Sequence, residues 1–226
     1  MKIFAYHTEG KKPVSNDRGI DALATALKEV LSKNEANQHK HDFKKVEESL
    51  KKILEPEPIR NFVPDLKKDF VQSEFETVGT PQWLQFTKTH IVKFRQKYKN
   101  IPVYGAQVTV EVAEDNELLA INSAIGDPNE IDSSPKFEPD EIKQLIEEKE
   151  DYESTDLDFN PTLYYYYDSK NKRWRLVYIT DIRFKETKNG SQSKFILKMV
   201  DYIIDAHTKE IVLELPRVRT LQKELR

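Results

Sequence analysis

From His90 to Tyr98 the chain alternates with a period of two. His90, Val92, Phe94, Gln96 and Tyr98 fall on one face, and Ile91, Lys93, Arg95 and Lys97 fall on the other. A run of that length and period dictates a half-buried β-strand with a cationic outer face. Lys99-Asn100 follows at once with turn chemistry. Pro102 carries no amide hydrogen and so suits a strand start or edge, and Gly105 marks a bulge or a close backbone approach. Ala106 to Val112 then alternates again with Val108, Val110 and Val112 inward. Ala113 to Glu117 is a second turn, and Leu118 to Asn122 is a third strand.

A second stretch repeats this logic further on. Lys194 to Ile204 is a long apolar strand, Asp205 to Glu210 is a turn, and Ile211 to Leu215 returns. Asp205 is placed to accept hydrogen bonds from backbone amides two residues on, which tightens such a turn. Strands are also expected over Thr162 to Tyr167 and Trp174 to Phe184. Asp168 to Lys172 joins the first to the second, and Lys188-Asn189-Gly190 joins the second to Lys194 to Ile204. Alternation through Tyr164-Tyr165-Tyr166-Tyr167 buries two rings and exposes two. Pro139 opens a helix over about Asp140 to Lys149, with Ile142, Leu145 and Ile146 inward and acids in the first turn.

The pattern His-x-x-x-Phe-Arg-Gln-x-Tyr-x-x-Ile-Pro-Val-Tyr-Gly at His90 to Gly105 resembles the fungalysin/thermolysin propeptide domain. Tyr202 to Val212, Tyr-Ile-Ile-Asp-Ala-His-Thr-Lys-Glu-Ile-Val, is similar to the end of a PepSY domain, with Lys209 where a glycine is common. The two domains occur in this order in the prosegments of secreted thermolysin-type metallopeptidases. The resemblance covers roughly Trp83 to Thr220. It implies an α+β fold: antiparallel sheets with packed helices, in two cystatin-like or PepSY-like units behind an N-terminal helical extension. The expected divisions are 1–80 helical and irregular, 81–126 propeptide-like, 127–135 linker, 136–216 PepSY-like and 217–226 tail. The linker Gly126 to Pro135 is rich in Pro, Ser and Asp.

The same resemblance implies a non-catalytic role as intramolecular chaperone and inhibitor. The partner is then the catalytic domain of a thermolysin-type zinc peptidase, in cis or in trans. Partner contact is carried to Phe94, Arg95 and Tyr104 on the first hairpin, and to Leu215, Pro216, Arg217 and Val218, where an extended segment would run toward the active-site cleft. A stand-alone module that binds a peptidase or another protein in trans uses the same fold and stays open beside it.

Two amphipathic helices are expected before this part. Asp17 to Leu31 places Ile20, Leu23, Leu27 and Val30 at helical spacing, and Phe43 to Leu54 does so with Phe43, Val46, Leu50 and Ile53. Glu55-Pro56-Glu57-Pro58 stops the second. Their stripes serve either as packing against sheets or as a docking face.

Catalytic chemistry is thin. None of His7, His39, His41, His90 or His207 begins the His-Glu-x-x-His pattern of a zinc peptidase. His39 and His41 lack a third ligand, so no metal and no cofactor is expected. His90 reads as a structural histidine on an apolar strand face. With no cysteine among 226 residues, disulfides and thiol catalysis are excluded. A net charge of −3 gives no pull toward nucleic acid. No apolar run nears the ~20 residues of a membrane helix. Met1 to Lys11 has no apolar h-region. The chain is secreted if it is a prosegment whose signal precedes it, and otherwise cytoplasmic. The cations from Lys88 to Lys99 and the ten acids between Glu138 and Asp158 are either solvated faces or an electrostatic match to a partner.

Overall fold

The computed structural model describes residues 1–9, 12–15, 24, 25, 27–29, 31, 32, 47, 48, 73–113, 117–150, 157, 158, 160–181, 183, 184 and 200–216. The chain divides into two compact units, Met1–Glu130 and Ile131–Arg226.

In the first unit the strands are β1 (Lys2–Glu9), β2 (Lys12–Ser15), β3 (Ser73–Thr77), β4 (Gln82–Leu84), β5 (Thr89–Tyr98), β6 (Ile101–Ala113) and β7 (Leu118–Ile125). The sheet order is β2-β1-β7-β6-β5, and β5 then carries β3 and β4 end to end. Every pairing is antiparallel. The alternation along β5 is realised in full, since Val92, Phe94, Gln96 and Tyr98 are buried while Ile91, Lys93, Arg95 and Lys97 are half-exposed. Val108, Val110 and Val112 on β6 and Leu118 and Ile121 on β7 complete that apolar face.

Tyr98 pairs with Ile101 across a two-residue turn in which Lys99 and Asn100 both have positive φ, 48° and 66°. Paired positive φ values give a turn whose twist matches that of the flanking strands. The register of β5 and β6 shifts between Arg95 and Lys97, where the extra residues of β6 include Gly105 at φ 72°. Glycine is needed there for its backbone and not for space, because a Cβ would meet only the Met1 side chain, at 3.9 Å.

The amino-terminal strands differ from expectation. β1 pairs with β7 from Lys2↔Ile125 to His7↔Ala120, in a stretch expected to be helical or irregular. Apolar residues fall on both faces of Ile3 to Tyr6, which hides the period of two. Residues 24, 25, 27–29, 31 and 32 are helical, as expected for the first helix, and bury Ala24, Leu27 and Leu31. Lys28 Nζ lies 5.4 Å from the centre of the Tyr6 ring. Only residues 47 and 48 of the second expected helix are described, and both are helical.

The second unit holds the helix Pro139–Glu150 and the strands β8 (Leu157–Asp158), β9 (Thr162–Asp168), β10 (Arg173–Ile179), β11 (Arg183–Phe184), β12 (Val200–Asp205) and β13 (Ile211–Pro216). Four strands run antiparallel in the order β9-β10-β12-β13, and β8 pairs with β11 separately. The start of the helix carries one half of a capping box: the Glu138 amide donates to Glu141 Oε2 at 3.0 Å. Ile142 and Ile146 are buried. Lys149 Nζ sits 5.7 Å from the Tyr202 ring centre and 3.1 Å from Glu214, and Tyr178 donates its hydroxyl to the Phe137 carbonyl at 2.9 Å. These contacts lay the helix on the sheet face of Leu176, Tyr178, Tyr202 and Ile204.

Two expectations for this unit change. The strand foreseen from Trp174 to Phe184 breaks after Ile179. Thr180 Oγ1 accepts the Tyr202 amide at 2.8 Å, which replaces a ladder bond with a side-chain bond. Of the four consecutive tyrosines only Tyr165 is fully buried, and Tyr164, Tyr166 and Tyr167 are half-exposed. The Asn189-Gly190 turn and residues 194–199 lie outside the described residues. Strands dominate the described chain, so the expected α+β description with packed helices gives way to a mainly antiparallel β architecture.

Candidate partner-binding surface

Five positions expected at a partner surface are described, and they divide. Phe94 faces inward and is 0% exposed. It is a core residue, because it shares the inward parity of Val92 and Tyr98, and it offers no surface to a partner. Arg95 faces outward, and its Nη1 lies 3.9 Å from Glu76 on β3. Lys97 pairs with the other oxygen of the same carboxylate. The cationic face foreseen for β5 is thus partly neutralised by β3, whose Glu76 stands opposite Arg95 in register. Exposed pairs of this kind contribute about 0–1 kcal/mol and leave the charges available to a partner. Tyr104 stands at the bulge beside Gly105 and is 39% exposed. Leu215 is half-buried and Pro216 exposed at the end of β13. Arg217 and Val218 lie outside the described residues, as do His39 and His41.

What fixes the outward face is an inward polar lock. Gln96 is fully buried. Its Nε2 donates to the Gly126 carbonyl at 2.7 Å, and its Oε1 accepts the Gly126 amide at 2.9 Å. The amide side chain therefore satisfies both backbone groups of the residue that follows β7, where no further strand partner is at hand.

In the second unit a buried cation organises both turns. Arg175 is 5% exposed. Its Nε donates to Asp168 Oδ2 at 3.0 Å, and its Nη1 donates to Asp205 Oδ2 at 2.9 Å and to Glu210 Oε2 at 2.8 Å. Asp168 also accepts the amides of Lys170 and Asn171, at 3.2 and 3.1 Å. Asp205 accepts those of His207 and Thr208, at 2.9 and 3.1 Å. The turn-tightening expected of Asp205 is therefore present, and Asp168 does the same on the neighbouring turn. The hydrogen bond from the Asn171 side chain, helped by its amide and by Arg175, holds the Asp168 carboxyl below its usual range against the opposing effect of burial. Burial works to raise the Asp205 carboxyl, and the His207 amide and Arg175 more than offset it, so it too is lowered. Burial opposes the charge on Arg175, and its three carboxylates outweigh that and raise it.

Lys209, which occupies the position where the resemblance leads one to look for glycine, has φ 60°. Its Nζ reaches Glu141 at 3.0 Å and lies 4.3 Å from the Phe137 ring centre. These contacts offset the backbone cost of a left-handed lysine.

Sequence reading missed two features. One is the Arg175 cluster, signalled only by an arginine inside the apolar run Trp174 to Ile179. The other is an exposed apolar group, Trp83, Leu84 and Phe86, on and just after β4. Its signal is the absence of any charge from Pro81 to Thr87. His90 is buried, with the Trp83 ring 4.3 Å away. Among the described residues no group of His, Cys, Asp and Glu could hold a metal ion, and no helix is long and apolar enough to cross a membrane.

Residues 87–125 match the fungalysin/thermolysin propeptide motif. They comprise β5, β6 and β7 with their turns, so the match falls on the hairpins that carry Arg95, Gln96 and Tyr104. The motif belongs to a non-catalytic propeptide domain. No curated protein matches the chain. Among solved structures, the Bacillus megaterium YpeB C-terminal domain is similar over 70% of this chain and 62% of that one, at 12% identity and a TM-score of 0.35. This chain thus spans less than two thirds of that relative.

Proposed function

We propose that this chain is the non-catalytic prosegment of a thermolysin-type zinc metallopeptidase, acting as its intramolecular chaperone and inhibitor. The observation that carries this reading is the propeptide motif at 87–125, together with its polar, cation-bearing outer face. Unit 1 then supplies a preformed sheet surface, with Arg95 and Tyr104 directed outward, on which a folding intermediate of the catalytic domain can order itself. Unit 2 corresponds to a PepSY-like domain, and the segment Leu215-Pro216-Arg217-Val218 runs into the active-site cleft as an added strand. Pro216 limits the register of that strand and resists cleavage beside it.

The test has two parts. The coding sequence past the codon for Arg226 is read for an in-frame His-Glu-x-x-His, and the catalytic domain so encoded is refolded from denaturant with and without this chain. The expected result is recovery of activity only when the chain is present, followed by inhibition of the refolded enzyme. Recovery that is equally fast without the chain, and unaffected by it afterwards, overturns the proposal. A stop codon at that point combined with inhibition of a thermolysin-type peptidase in trans assigns the same fold to a stand-alone inhibitor.

A further inference from the structure

β5 carries two edge strands in series, and they are finished differently. β3 lies along Phe94–Tyr98 and presents Glu74 and Glu76. β4 lies along Thr89–Ile91, and all three of its side chains are exposed. The Val78 amide bridges the gap between them by donating to the Lys93 carbonyl at 2.8 Å. Sheets ordinarily blunt an open edge with charge, because its unpaired N–H and C=O groups template another strand. β3 follows that rule and β4 does not. Among the described strands β4 pairs with β5 alone. Trp83 and Leu84 are 40% and 38% exposed, and Phe86 is fully exposed.

The edge is apolar on both of its faces. Trp83 stands opposite buried His90, and the two rings stack at 33°, so the indole is anchored on one side and open on the other. Leu84 stands opposite Thr89 and projects to the other face. An added strand therefore meets an apolar side chain on either face, which selects apolar residues at successive positions of the incoming segment. The charges carried by β4, β5 and the turn between them have one sign, and the neighbouring acids Glu47 and Glu76 are engaged by Thr77 and by Arg95 and Lys97 on the β3 side. From Thr77 to Asn100 there is no acidic residue. Arg95 and Lys97 are engaged by Glu76, whereas Lys88 and Lys93 flank the β4 end of β5. Glu111, opposite Ile91 on β6, is the acid in register beyond β5.

We propose that the outer edge of β4 captures an extended peptide segment in which a short run of successive apolar residues is flanked by Asp or Glu. The segment adds as a strand beside Gln82–Leu84, its apolar run packing on Trp83 on one face and on Leu84 on the other, with Phe86 beyond, and its flanking carboxylates meeting Lys88 and Lys93. The inference stands on this edge alone and survives failure of the prosegment reading.

The experiment is a display selection of random octapeptides on the full chain, counter-selected on the double variant Leu84→Lys/Phe86→Ser. Both positions are exposed, so an unchanged urea midpoint verifies that the variant folds. Enriched peptides are expected to carry at least two successive apolar residues flanked by acidic ones and to bind at least tenfold more weakly to the double variant. About tenfold weaker binding is expected to Lys88→Glu, and binding should shift Trp83 emission in a Trp174→Phe background. No enrichment over the double variant, or enrichment of basic peptides or of peptides without successive apolar residues, overturns the proposal. Self-association of the chain that disappears in the double variant also overturns it, by assigning the edge to a second copy.

Discussion

Arg175 Nη1 donates to Asp205 Oδ2 at 2.9 Å across the β10–β12 pair, with both side chains buried. Through this bond and its partner to Asp168, one guanidinium holds the Asp168 turn and the Asp205 turn in fixed relation. Buried pairs often give no net gain over apolar packing, but breaking one strands a charge. Arg175→Met should therefore lower the stability of the second unit by about 3–5 kcal/mol, read by urea unfolding with Trp174 fluorescence. Adding Asp205→Asn to it should recover part of the loss, because the two sites share one network. A loss under about 1 kcal/mol in the single variant would show the cluster to be ornamental.

The same cluster sets an acid limb. Asp168 and Asp205 both titrate below the usual aspartate range, so each binds its proton less readily folded than unfolded. Their stabilisation is complete above the unfolded value of about 4 and is lost as pH falls through the lower folded values. Urea midpoints should stay level with respect to these two groups from pH 7 to about 5 and fall below about 4. Asp205→Asn should make that fall shallower.

Gln96 and Gly126 give a second stability test. Gln96→Leu keeps the volume and removes both bonds to Gly126, leaving a buried amide and carbonyl without that partner. Each such group costs about 1–3 kcal/mol, so a loss of about 2–6 kcal/mol is expected in equilibrium unfolding.

Lys209 allows the backbone and the side chain to be separated. Lys209→Gly relieves a left-handed φ worth about 1 kcal/mol and removes an exposed ion pair worth about 0–1 kcal/mol. The net change should lie within about 0.5 kcal/mol of zero. Lys209→Val keeps the strain, adds a β-branch and loses the ion pair, and should cost about 2 kcal/mol. Thermal unfolding of both variants distinguishes the two contributions.

The proposed inhibitor role makes a separate prediction. Truncation after Leu213 should weaken inhibition of the cognate peptidase at least tenfold while leaving β9, β10 and β12 folded by circular dichroism. Unchanged inhibition by the truncated chain would place the inhibitory contact elsewhere.

Much of the sheet was legible in the residues because strand parity is a local property. The period of two from His90 to Tyr98 fixes which side chains can share a face whatever lies across the sheet, and Val108, Val110 and Val112 follow the same rule. Asn100 and Asp205 likewise act through bonds and dihedrals a few residues long, so their turns could be read in place. β1 was not legible, because apolar residues on both faces of Ile3 to Tyr6 carry no period, and its pairing with Leu118–Ile125 joins segments more than a hundred residues apart. The end of β10 was equally hidden. It depends on the Thr180 hydroxyl meeting the Tyr202 amide, a competition decided only when the two strands lie side by side. Phe94 shows the limit of a motif: its place in the propeptide pattern suggested a contact surface, and its parity sends it into the core.

By itself the sequence determined the faces of β5 and β6, the turns at Lys99-Asn100 and Asp205 to Glu210, and the absence of cysteine chemistry, since these depend on side-chain identity and short-range backbone geometry. Tertiary structure alone decided that Arg175 gathers three carboxylates, that Gln96 locks Gly126, and that β3 carries charge while β4 leaves an apolar edge open. Those outcomes depend on which segments meet across the sheet. The free energy of burying a charge or an amide is set by the groups that surround it, and these come from distant parts of the chain.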